Sequence, residues 1–127
     1  MQRMPEQARI LFATAIGEAE QTALLLDASG APLAGSYLDE NGRDISAEIG
    51  AALSGVSREV SRSMRLLSIG AWNAVVVETE AATIALAPGA EDSVVLLASS
   101  SAVPLGLVRR VLARSVALAI NWMEGRT

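Results

Sequence analysis

The sequence predicts an α+β fold, an antiparallel sheet covered by helices on both faces, in the order α-β-β-α-β-β-β-α. Three observations predict it. Short apolar runs separated by turn-forming residues cluster at 21–37 and 72–98 and describe a hairpin and a meander. Val75-Val76-Val77 and Val94-Val95-Leu96-Leu97 are continuous rather than alternating, which implies a sheet buried on both sides. Between the two strand-rich regions, residues 43–69 contain no proline and repeat at helical period.

The first element expected is a helix over 5–16. Pro5 suits its first turn, Glu6 favours the positive end, and Ala8, Leu11, Phe12 and Ala15 share one face. Gly17 is its expected stop. Residues 21–26 and 31–37 then form a hairpin around Asp27-Ala28-Ser29-Gly30, with Pro32 confining the second strand to an edge or to its own start. Asp39-Glu40-Asn41-Gly42 leads into the long helix, which Asp44 or Asn41 is placed to cap. The acidic residues there do not have the spacing of a calcium-binding loop, and a helix N-terminus attracts acids in any case.

The helix over 43–69 has two lines of interest. Ile45, Ile49, Leu53, Val56, Val60, Met64 and Leu67 form an apolar stripe suited to packing on a sheet. Ser46, Gly50, Ser54, Ser57 and Ser61 recur at the same steps with small side chains only, which lets another helix come close. Asp44 and Glu48 lie early, whereas Arg58, Arg62 and Arg65 lie late, an order that suits the helix dipole. It equally suits an antiparallel second copy, with Glu48 facing Arg62 and the crossing near Ser54 and Gly55. Substituting leucine at Gly50 or Gly55 is then expected to disrupt a dimer before the fold.

Strands follow at 72–79, 82–87 and 93–98, and Pro104 opens a last helix. Leu105, Val108, Leu112, Val116 and Ala119 face inward at helical spacing, with Arg109, Arg110 and Arg114 on the other side. No internal repeat or linker appears, so residues 1–127 are expected to form a single domain.

Composition narrows the function. The chain has 127 residues, is 51% hydrophobic but only 3% aromatic, and carries a formal charge of −4. It has no histidine, cysteine or lysine, and all ten basic residues are arginine. Zinc sites of the usual kind, cysteine or histidine nucleophiles, Ser-His-Asp triads, Schiff bases and the P-loop all need residues that are missing. An enzyme is therefore not expected, and neither a cofactor nor a metal is. The acidic balance argues against nucleic acid. No run of about 20 apolar residues free of charge or proline suggests a membrane span, and no secretory leader is evident, so a cytoplasmic protein is expected.

Three blocks carry a resemblance. They are the hairpin ALLLDASGAPLA from Ala23, the strand VVVETE from Val75, and LGLVR from Leu105. In their order and spacing they resemble the Roadblock (dynein light chain, MglB-like) family of small-GTPase regulators. The resemblance implies a three-layer domain, a five-stranded antiparallel sheet with one long helix on one face and two helices on the other. It implies a dimer with itself or a paralogue, in which the long helices lie side by side and the strand over 72–78 pairs across the two-fold axis. The interface expected from helix and strand together comprises Glu48, Gly50, Ser54, Gly55, Ser57, Arg58, Ser61, Arg62, Trp72, Ala74 and Val76. A Ras-like small GTPase is the implied partner, bound on the paired helices, with Arg58, Arg62 and Arg65 as candidate contacts. The arginine-only, alanine-rich composition hints at a high-GC bacterium. Two other functions fit the sequence: a scaffold that joins signalling proteins without affecting GTP hydrolysis, and a small-molecule sensor of profilin or PAS type.

Overall fold

The computed structural model, which describes residues 4–16 and 21–125, places five strands in one antiparallel sheet. They are Gln21–Leu26 (β1), Pro32–Gly35 (β2), Val75–Glu78 (β3), Ala82–Pro88 (β4) and Val94–Ser100 (β5), in the spatial order β2-β1-β5-β4-β3. β5 is central, paired with β1 through Leu24↔Leu96 and with β4 through Ala85↔Leu97. Every residue from Val94 to Ser99 is buried, which is what a continuous apolar run requires. Each such leucine or valine removed from water contributes about 1.5–3 kcal/mol.

Helices cover both faces. On one, Glu6–Arg9 (α1), Ala13–Ile16 (α2) and Leu105–Glu124 (α5) enclose Ala8, Phe12, Leu25, Ala34, Val95, Leu97, Val108 and Leu112. On the other, Ser46–Ala52 (α3) and Val56–Leu67 (α4) cover Leu24, Leu26, Leu86, Val94 and Leu96. The three-layer α+β architecture is thus present, with three corrections to its elements.

The stretch over 43–69 is two helices rather than one. Gly55 sits at φ +80°, a left-handed conformation that glycine adopts without steric cost, and it divides α3 from α4. Ser54 and Gly55 together are also poor helix formers. The apolar stripe survives the break, because Ile49, Leu53, Val56, Val60 and Met64 all reach the sheet; Leu67 does not and is exposed. The first helix is likewise two short turns. Leu11 and Ala13 donate backbone N–H groups three residues back, to Ala8 and Ile10, tightening the chain where Phe12 enters the core. Gly35 has no side chain where Phe12 lies, since a Cβ there would stand 3.1 Å from its ring. Gly17, the expected stop, lies outside the described residues.

The third correction concerns β3. Residues 72–74 are not part of it, and the strand is an edge: Val75 and Val76 are only half-buried, one against each face, and Val77 is 51% exposed. At the last helix, Leu105 is exposed, while Val111 and Ser115 join Val108, Leu112 and Ala119 inside. Trp122 and Met123 pack against the core, Ser93 donating its hydroxyl to Met123 Sδ at 3.6 Å.

The two loops that set α3 in place are locked by carboxylates. Asp27 Oδ1 accepts from the backbone N–H groups of Ser29 and Ala31 and from the Ser29 hydroxyl. Partial burial pushes this carboxyl up, but those hydrogen bonds and one from Gly30 outweigh it and hold the pKa below the ordinary value. Asp44 behaves alike: burial raises it, while the Ser46 hydroxyl and the backbone at Ser46 and Tyr37 bring it down. Asp44 accepts the Ser46 N–H at 2.9 Å in the turn just before α3, whose N-cap position is Ile45 and which has no side-chain cap, so neither Asp44 nor Asn41 takes the capping place expected of it.

Candidate interaction surface

The small-residue line of the middle helices turns inward. Ser46 is 5% exposed, and its hydroxyl accepts the Tyr37 N–H at 3.0 Å. Gly50 meets the β1–β2 turn: a Cβ built on it would lie 1.7 Å from the Gly30 carbonyl oxygen, and one on Gly30 would lie 2.1 Å from the Gly50 oxygen. Ser57 is 4% exposed. Ser61 accepts the indole N–H of Trp72 at 3.2 Å, and Trp72 is itself buried beneath α4 in the loop before β3. The close approach foretold by small side chains is thus between α3 and a hairpin turn of the same chain. Gly50, Ser57, Ser61 and Trp72 serve the monomer's packing, and leucine at Gly50 would strike the fold first.

The other expected interface residues lie at the surface. Ser54 is exposed beside Gly55, which has open space around it. Glu48 is exposed and accepts from Arg43 Nη2 at 3.2 Å. Ala74 is exposed, and Val76 is half-buried on the α5 face of the sheet.

Arg58, Arg62 and Arg65 share the outer face of α4 as their spacing predicts, and all three are exposed. Arg58 lies 3.8 Å from Asp92 and Arg62 lies 3.7 Å from Glu59, long, solvent-exposed pairs of little energetic weight. Arg65 belongs to none of the described ion pairs and lines a depression of about 530 Å³ with Ser61, Met64, Ser68 and Gly70.

Sequence reasoning missed the apolar end of α4. Leu66, Leu67 and Ile69 are 76%, 62% and 67% exposed, and Val77 adds a half-exposed valine on β3. A signal was available: three large aliphatic residues within four positions at a helix end exceed what one buried face accommodates.

The two sheet edges differ in kind. β2 begins at Pro32, ends at Gly35 with φ +79°, and its register slips between Leu25 and Leu26. Proline and irregularity are the usual means of blunting an edge. β3 carries neither proline nor bulge, pairs regularly with β4 from Val75↔Leu86 to Glu78↔Thr83, and leaves its outer side without a strand partner among the described residues.

Solved structures share this arrangement of five strands and flanking helices. Myxococcus xanthus MglB matches with a TM-score of 0.79 at 12% identity, covering 100% of this chain and 97% of its own. The Roadblock/LC7 domain from Streptomyces avermitilis matches at 0.73 and 18% identity, covering 91% and 97%. The chain has a Roadblock/MglB-like fold. A further MglB, described in a tetrameric arrangement, matches this fold at 0.76 and 18% identity over 96% of this chain and 91% of its own. By sequence, no family model matches the chain and no curated protein is similar to it. Among the described residues of this Roadblock/MglB-like chain, no helix is long and apolar enough to cross a membrane.

Proposed function

We propose that this chain is a non-enzymatic regulator or adaptor that pairs with a second copy of itself or a paralogue and binds a Ras-like small GTPase. The observation that carries the pairing is the β3 edge. A regular strand of exposed and half-buried valines, unblunted by proline or bulge, is a template for another strand. Antiparallel addition of a second β3 would extend the sheet to ten strands. It would also bring a partner's apolar surface toward Leu66, Leu67, Ile69 and Val77, which one chain leaves in water.

Support for the GTPase comes from the resemblance in the sequence and the Roadblock/MglB-like fold, together with the arginine row on α4. Of that row, Arg65 is the least engaged, and its guanidinium is free to meet an acidic or phosphate group. The chain has no lysine, histidine or cysteine to run the chemistry itself, so any effect on hydrolysis would act through the partner's site. An arginine supplied to such a site raises GTP hydrolysis by roughly 10³–10⁵-fold. Hydrolysis by a bound GTPase with wild-type protein and with Arg65→Ala separates regulator from scaffold. Stimulation lost in the variant marks a regulator, and unchanged hydrolysis despite binding marks a scaffold. Absence of binding in both nucleotide states refutes the proposal.

A further inference from the structure

α5 carries a cationic ridge on its outer side. Leu107, Arg110, Arg114, Ala117 and Asn121 recur at steps of three and four, so they share one face of the helix, and all five are exposed. The opposite face, with Val108, Val111, Leu112, Ser115 and Ala119, is buried where α5 meets β4, β5 and α2. Leu105 joins Leu107 at the same end of the helix, each 38% exposed. Arg109 turns instead toward the β3–β4 edge and lies off the ridge.

Charge is segregated along the chain. From Ser93 to Met123 there are three arginines and no acidic residue, although the net charge is −4. Arg9, Arg43, Arg58 and Arg62 each lie beside a carboxylate, whereas Arg110 and Arg114 belong to none of the described ion pairs. A guanidinium grips a phosphate through two parallel N–H donors, and adjacent guanidiniums without counter-charges attract an anionic surface. A ridge, unlike a groove, meets a broad and flat partner. The leucines at its end supply what a polyanion alone has no use for, aliphatic side chains able to enter the boundary between lipid headgroups and acyl chains.

We propose that the outer ridge of α5 binds the surface of a membrane that contains anionic phospholipids. Arg110 and Arg114 meet headgroup phosphates, and Leu105 and Leu107 enter the interface. The chain lies on the bilayer without crossing it. The ridge is on the face of the sheet opposite α4, so it holds whether or not the chain binds a GTPase there.

The test is co-sedimentation of the full chain with vesicles of phosphatidylcholine alone, and of equal parts phosphatidylcholine and phosphatidylglycerol. The chain should sediment with the second and not with the first, and less so as salt is raised. An arginine close to an anionic surface strengthens association by roughly fivefold, so Arg110→Gln combined with Arg114→Gln should weaken binding at least tenfold. Arg43→Gln removes a charge at an exposed site off the ridge and should leave binding close to wild type. Free glycerol phosphate at the phosphate concentration of the vesicles should not compete. The proposal is overturned by no sedimentation with anionic vesicles, by equal sedimentation with neutral ones, or by competition from glycerol phosphate. A double variant that binds like wild type, or an Arg43→Gln loss as large as that of the double variant, also overturns it. So does displacement from the vesicles by duplex DNA at equal phosphate concentration, for then nucleic acid is the better ligand.

Discussion

Gly50→Ala tests the contact that fixes α3 against the first hairpin. The added Cβ would stand 1.7 Å from the Gly30 carbonyl oxygen, 2.9 Å from its carbon and 3.1 Å from Leu26 Cδ2. The first two are backbone atoms, so no rotamer change relieves the clash; the turn or the helix must move. Overpacking of this kind costs typically about 1–3 kcal/mol and occasionally more. Against it stands the better helix propensity of alanine, worth about 1 kcal/mol. Because the obstacle is backbone, the cost lies at the upper end of that range and the clash prevails, with a net loss of about 1–2 kcal/mol. For a domain of this size that is a fall in midpoint of about 3–10 °C, read by thermal or urea unfolding. Two controls frame it. Gly106 lies in α5 with nothing within 4 Å and no positive φ, so Gly106→Ala should stabilise by about 0.5–1 kcal/mol. Gly55 has equal space but φ +80°, so Gly55→Ala should lose about 1 kcal/mol through backbone strain alone. A Gly50→Ala protein as stable as wild type, or more so, would refute the close approach.

Further outcomes follow from the same geometry. Ser61→Ala strands the buried Trp72 N–H, so it should cost about 1–3 kcal/mol in urea unfolding and leave solution mass unchanged. Asp27→Asn should flatten the acid limb of stability. The folded pKa of Asp27 is lowered, so its contribution is present above the unfolded value of about 4 and is lost as pH falls through the folded value. Urea midpoints from pH 5 down to pH 2 should therefore decline less in the variant, and parallel curves would refute the turn's role. Val77→Lys places a charge on the exposed β3 edge and should turn a dimer of 13.2 kDa chains into folded monomers, whose melting midpoint no longer rises with protein concentration. A wild type that is monomeric at high concentration removes the pairing proposal altogether.

Much of the fold was legible because local chemistry and tertiary demand agree. The turn Asp27-Ala28-Ser29-Gly30, the continuous run of β5 and the proline opening of α5 each point the same way at every level. What failed, failed for identifiable reasons. Period alone joined α3 to α4, because the stripe from Ile49 to Met64 keeps phase across a left-handed glycine. A line of small residues says that something comes close but not what: Gly50 approaches Gly30 of its own chain, 20 positions away, and only topology reveals it. The valines of β3 have the composition of a central strand but lie at an edge, since strand order is set by which elements pair and not by any one strand's sequence. The arginines of α4 were correctly placed together by spacing, whereas the exposed Leu66, Leu67 and Ile69 are apparent only once the helix's buried face is known.

The central claim is tested most directly by binding to a Ras-like GTPase in defined nucleotide states. Immobilised protein is presented with native lysate containing GDP or a non-hydrolysable GTP analogue, and any GTPase retained is purified and titrated against wild type and Arg65→Ala. Retention of a small GTPase in one nucleotide state, with affinity reduced by the variant, is the predicted result. Failure to hold a GTPase in either state would contradict it.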